Sequence, residues 1–202
     1  MIRLIAITDD ASMPPAPLHA VGCGRLTAIC APVDEHSGGA DSLWRHEELV
    51  ESLMETRDLL PVRFGTQLAD DEAVAQAVGA RGGQLAQRLE LVRGAVELAL
   101  RVDERGAAEP PLTGAATGTE YMQLQADRVR NGRMIHDELA ALARETTMLP
   151  GPELLRAAYL VERSNVDAFV ARVRKLQEAN PELVLICTGP WPPYSFADEE
   201  RA

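Results

Sequence analysis

Gly94-Ala95-Val96-Glu97-Leu98-Ala99-Leu100-Arg101-Val102 alternates strictly between apolar and other side chains. Val96, Leu98, Leu100 and Val102 share one side, and Glu97, Ala99 and Arg101 share the other. This is the period-2 signature of a half-buried strand. Downstream, Asp103 to Gly118 is rich in Gly, Ala, Pro and Thr and reads as a loop. Tyr121, Leu124, Ile135, Leu139 and Leu142 then fall on one stripe of a long helix, from about Glu120 to Arg144. Asn131-Gly132 lies inside it, costs about 1 kcal/mol relative to alanine, and marks a place for a kink. Thr146 to Leu149 reads as a short strand, turned by Pro150-Gly151-Pro152. Leu155, Ala157, Tyr159 and Val161 alternate through another strand. Ser164, with Asp167 three residues on, is the expected cap of a helix whose buried face is Val166, Phe169, Val170 and Val173. Asn180-Pro181 ends that helix, and Leu183 to Cys187 is a final strand. The order β-α-β-β-α-β is the ferredoxin-like arrangement, an antiparallel sheet with helices on one face.

Upstream, Ile2, Leu4, Ile5 and Ile7 form a buried strand, followed by a loop containing Pro14, Pro15 and Pro17. Val21 to Cys30 reads as one second strand, with a bulge or twist at Gly22 and Gly24. Asp41 is the expected N-cap of a helix with Leu43, His46, Val50, Leu53 and Met54 on one face. Leu59 to Gly65 is a short strand ending in a turn. Asp70-Asp71-Glu72 places three acids where a helix dipole favours them, and that helix stops at Gly79. A further helix runs from about Gln84 to Arg93. The fold class is therefore α+β in two packed domains. Residues 1–93 form an N-terminal α+β domain. Residues 94–202 form a modified ferredoxin-like domain with a proline- and aromatic-rich tail.

Composition narrows the function. The chain has 202 residues, with 20 basic against 31 acidic side chains, for a formal charge of −11. A general nucleic-acid binder rests on many phosphate contacts, and docking on anionic lipid needs basic clusters, so both partners are disfavoured. No run approaches the roughly 18 apolar residues of a membrane helix. The N-terminus turns acidic at Asp9-Asp10, too soon for a signal peptide. Cys23, Cys30 and Cys187 are three in number and cannot all pair within the chain, which suits a reducing cytoplasm.

No chemistry-bearing motif emerges. His19, His36, His46 and His136 are scattered, and no Cys/His pair has zinc spacing, so no metal is expected. Gly22-Cys23-Gly24 lacks the third glycine of a dinucleotide loop, and Arg81-Gly82-Gly83 reads as a turn between helices. No serine sits in a G-x-S-x-G elbow. No cofactor and no enzymatic activity are expected. Two segments fit a purely structural reading poorly. In Leu60-Pro61-Val62-Arg63-Phe64-Gly65-Thr66, Arg63 interrupts an apolar run; a structural pair with a carboxylate, such as one from the preceding helix, is the expected use of it, with a ligand contact as the alternative. In the tail, Trp191, Tyr194 and Phe196 stand among prolines in a chain only 4% aromatic. They form either a strap over a sheet edge or a stiffened aromatic surface for a partner.

Those segments also carry a resemblance. Leu43-Trp44-Arg45-His46-Glu47, Leu60 to Thr66, Gly118-Thr119-Glu120-Tyr121, Ala157-Ala158-Tyr159-Leu160-Val161 and Thr188-Gly189-Pro190-Trp191-Pro192-Pro193-Tyr194-Ser195-Phe196 resemble, in order, motifs of the gas vesicle protein F/L family. The resemblance covers nearly the whole chain. It implies two α+β domains, the second ferredoxin-like, and a non-enzymatic role in gas vesicle assembly. It further implies a minor vesicle component that binds the small hydrophobic shell protein and limits its aggregation during nucleation. Other vesicle assembly proteins are further partners it suggests, and the cytoplasm and the gas vesicle are the expected locations. The motif residues it marks as candidates for partner binding are Trp44, Arg63, Phe64, Gly65, Tyr159, Gly189, Pro190, Trp191, Pro193, Tyr194 and Phe196. The alternative, on fold analogy alone, is a small-molecule-sensing ferredoxin-like module.

Overall fold

A computed structural model describes residues 1–33, 40–105 and 130–197. Packing divides the chain into two units, Met1–Ala95 together with Trp191–Ala202, and Val96–Pro190. The sequence reading placed a boundary near residue 93 and kept the tail with the C-terminal domain. The packing instead returns the chain, from Trp191 onward, to the first unit.

The first unit is built on strand β1 (Ile2–Thr8), whose Ile5 and Ala6 are fully buried. Around it lie β2 (His19–Cys23), β3 (Leu26–Pro32), α1 (Ala40–Met54), β4 (Leu60–Pro61), β5 (Gln67–Leu68), α2 (Asp71–Ala80) and α3 (Gly82–Val92). The sheet order is β2-β3-β1-β4, with β5 also pairing β1, and the pairings are antiparallel. The single strand expected over Val21 to Cys30 is a hairpin. Cys23 pairs with Leu26, leaving Gly24-Arg25 as a two-residue turn. Gly24 has φ +76°, and among the described residues no residue other than glycine has positive φ. Glycine at the first central position matches the right-handed twist of the flanking strands, so what reads as a bulge is a turn. Ile5, Ala6, Leu18, Ile29 and Ala31 pack against Val50 and Leu53 of α1. Asp41 lies in the first turn of α1 rather than before it. Asp70 caps α2, its carboxylate accepting the Ala73 amide at 2.9 Å. Arg93 ties the end of α3 to Asp9 at 2.7 Å, Glu90 at 2.9 Å and Asp58 at 3.5 Å.

The second unit takes strand β6 (Ala95–Glu104), the helix α4 described over residues 130–140, β7 (Glu145–Met148), β8 (Leu155–Glu162), α5 (Val166–Ala179) and β9 (Leu183–Trp191). Its sheet order is β7-β8-β6-β9. Each β-α-β connection therefore skips one strand, which is the ferredoxin-like topology read from the alternating segments. Val96, Leu98, Leu100 and Val102 are buried as the alternation requires, and Glu97 is buried with them. Leu98, Leu100 and Val102 meet Leu155, Tyr159 and Val161 of β8 under Ile135 and Leu139 of α4 and Phe169, Val173 and Leu176 of α5. Each such side chain contributes about 1.5–3 kcal/mol on burial.

A Cβ at Gly132 would lie 2.8 Å from the Leu154 carbonyl oxygen, so this glycine marks a close approach; the helix leading into Asn131-Gly132 lies outside the described residues. Two local expectations change here. Ser164 is not a cap: Arg163–Asn165 form a 3₁₀ turn and α5 starts at Val166, after Asn165. The last strand runs four residues beyond Cys187, to Trp191. Tyr121, Leu124 and the Gly118–Tyr121 motif lie outside the described residues.

Candidate partner-binding site

Helix α1 forms because Ser42, His46, Val50 and Leu53 repeat at helical spacing and bury one stripe. Leu43, expected on that stripe, is 43% exposed, and Trp44 is 68% exposed. His46 is 1% exposed, and its Nε2–H donates to the Val62 carbonyl at 2.8 Å. Burial pushes its pKa down; the Val62 bond and the charge of Glu47 work in the opposite direction. The imidazole is thus a neutral structural donor. Its ring meets Phe64 edge-on, with centroids 5.6 Å apart.

The segment after β4 is fixed from both sides. The Val62 amide donates to Ile5 at 3.0 Å, and the Leu4 amide donates to Thr66 at 3.0 Å. Between them the chain turns. The Thr66 hydroxyl donates to the Arg63 carbonyl at 2.9 Å, and Gly65 takes φ +87°. The turn leaves Phe64 half-buried and Arg63 exposed.

The tail arrives through Gly189, whose φ of +118° favours glycine, and a cis bond to Pro190. Pro192, Pro193, Phe196 and Ala197 are buried. Residues Tyr194–Ala197 form a short helix, α6, which packs on α3 and β4. The Tyr194 hydroxyl donates to Glu47 Oε1 at 3.1 Å. Burial, and then the Glu47 charge, raises the pKa of this phenol, so it remains a donor. Trp191 stays 44% exposed. The tail is thus a strap over the first unit that also holds an exposed aromatic.

Three motif segments far apart in sequence therefore meet. His46 joins α1 to the Val62–Phe64 segment, and Glu47 joins α1 to Tyr194. The Tyr194–Glu47 bond joins α1, which bears exposed Trp44, to α6, which begins three residues after exposed Trp191 at the end of β9. Tyr159 is not part of this group. It is fully buried in the second unit, where its hydroxyl meets His136 Nδ1 at 3.0 Å and its ring packs on Phe169 at 5.1 Å. Among the described residues no carboxylate pairs with Arg63, contrary to the expected ion pair. His46 and Glu47 are not among the candidate site residues that the sequence marks. The signal for His46 was a lone histidine on an apolar stripe; nothing local marks Glu47 as the acceptor for Tyr194. Cys23 and Cys30 are buried and Cys187 half-buried. Burial, with Asp71 and Cys23 adding to it, pushes the Cys30 thiol up to about 12, so it is not a reactive thiolate.

A family model described as gas vesicle synthesis protein GvpL/GvpF matches residues 4–198. The chain belongs to this family. Gas vesicle protein F of Streptomyces sp. (strain CB03234) is 33% identical over 216 residues, covering 92% of this chain and 90% of that protein. Gas vesicle protein L of the same strain is also 33% identical, over 78% of this chain and 69% of its own length. The fold matches the crystal structure of GvpF from Anabaena sp. PCC7120, with a TM-score of 0.78 at 19% identity and 98% coverage of both chains. The GvpF structure from Microcystis aeruginosa gives the same TM-score at 18% identity. Family membership supports a role in gas vesicle assembly. No helix among the described residues is long and apolar enough to cross a membrane.

Proposed function

We propose that this protein is a non-enzymatic assembly factor and minor component of the gas vesicle. It binds the small hydrophobic shell protein in the cytoplasm and limits its aggregation during nucleation, in company with other vesicle assembly proteins. The observation that carries the reading is the joined motif region of the first unit. Trp44 is exposed on α1 and Trp191 is exposed just before α6, and the Tyr194–Glu47 bond joins those two helices. Large aromatics held on rigid elements are the residue type that dominates partner binding.

The physical logic is direct. A shell that excludes liquid water needs an apolar inner face, so its subunits tend to aggregate before assembly. A partner that covers this face delays aggregation, and a net charge of −11 keeps the complex dispersed. Family membership supports the setting, and the F and L proteins of Streptomyces are relatives named for the vesicle.

The test is co-expression with the shell protein, followed by affinity capture and measurement of the soluble fraction. The wild-type chain should capture the shell protein and raise its soluble fraction. Trp44→Ala with Trp191→Ala should remain folded and lose capture. Shell protein that stays aggregated and unbound beside a folded wild-type chain would overturn the reading.

A further inference from the structure

The first unit contains a cavity of about 390 Å³ between the β1/β4/β5 end of its sheet and helices α2 and α3. Leu4, Leu60, Leu68, Val78 and Leu85 contribute to an apolar lining. Among the described residues Arg63 and Arg81 line it too, and no Asp or Glu does. The size lies within the range of about 300–1,000 Å³ that holds small organic ligands.

Arg63 is the informative residue. It is exposed and has no carboxylate partner among the described residues. Its backbone is nonetheless fixed, because Thr66 bonds its carbonyl through both amide (3.3 Å) and hydroxyl (2.9 Å). Arg81 stands at the junction of α2 and α3, its Nε donating to Gln84 at 3.3 Å. A guanidinium fork matches a carboxylate in geometry and charge. An apolar interior with cations among its lining suits a ligand with one anionic end and a hydrocarbon body. A neutral hydrocarbon leaves Arg63 without a counter-charge, and a small polar anion leaves the apolar wall uncovered.

We propose that this cavity binds an apolar monocarboxylate, with its head at Arg63 and Arg81 and its chain against the wall formed by Leu60, Leu68, Val78 and Leu85. The cavity shares Val62, Arg63, Thr66 and Ala197 with the joined motif region, and ligand binding is measured without the shell protein.

The experiment is calorimetric titration of the full chain with decanoate, with decanol as the control lacking the charge and acetate as the control lacking the chain. Decanoate should bind saturably at one site and raise the thermal midpoint. Both controls should bind at least about tenfold more weakly. Arg63→Gln should weaken decanoate about tenfold and leave the midpoint of the free protein unchanged. Absence of saturable decanoate binding, equal binding of decanol, or an Arg63→Gln variant that binds as the wild type does would each overturn the proposal.

Discussion

Trp44 and Tyr159 are both aromatic residues of the segments singled out from the sequence, yet Trp44 is 68% exposed and Tyr159 is fully buried. In the second unit the motif fills a core. Tyr159 packs on Phe169 and its hydroxyl is satisfied by His136. In the first unit the motifs join chain segments. His46 and Glu47, adjacent on α1, hold the Val62–Phe64 segment and the tail, while Trp44 remains in solvent. A motif aromatic can therefore serve packing or recognition, and only its burial and the partner of its polar atom separate the two. Changes in the second unit should act on stability, and changes at the tryptophans of the first should act on binding.

The contrast is broken most severely at Tyr159. Tyr159→Ala should cost about 3–5 kcal/mol, read by chemical denaturation, because a cavity opens beneath α4 and α5. Gly132→Ala comes next. The methyl meets the Leu154 carbonyl at 2.8 Å, so the variant should lose about 1–3 kcal/mol despite the better helix propensity of alanine. A gain in stability there would show that α4 can move away from β8.

The buried His46 gives a pH dependence whose sign is fixed by its lowered pKa. The unfolded imidazole titrates near 6.5 and the folded one below that. The unfolded chain thus binds more protons as the pH falls below about 6.5. Stability contributed by neutral His46 is complete above that value and declines as the pH falls toward the folded pKa. His46→Gln, which retains a donor, should flatten this part of a stability-against-pH curve. The smallest expected change is Tyr194→Phe, which removes only the bond to Glu47 and should cost about 1 kcal/mol.

Much of the second unit was legible because its strands have one buried face. The alternation of Val96 to Val102 and of Leu155 to Val161 reported it directly, and the strand order followed from the element order. The first unit was harder to read. Its hairpin is hidden because Ala28, Ile29, Cys30 and Ala31 of β3 are buried in succession, which erases the period of two. The fate of Arg63 depended on where a turn pointed it, and no local spacing encodes that. Propensity alone marks Gly132 as a weak point of a helix and cannot show the neighbouring Leu154 carbonyl. The tail was read as a strap or a partner surface; it straps the first unit with Phe196 and leaves Trp191 exposed. Its return to that unit depends on contacts such as Tyr194–Glu47, between residues 147 positions apart.

The most direct test compares Trp44→Ala with Tyr159→Phe in one shell-protein capture assay, each variant first measured for stability. Trp44→Ala should change stability by no more than about 0.5 kcal/mol and lose capture. Tyr159→Phe should lose about 1 kcal/mol and keep capture. Capture that survives the loss of Trp44 but fails with Tyr159→Phe in a folded chain would contradict the assignment of recognition to the first unit.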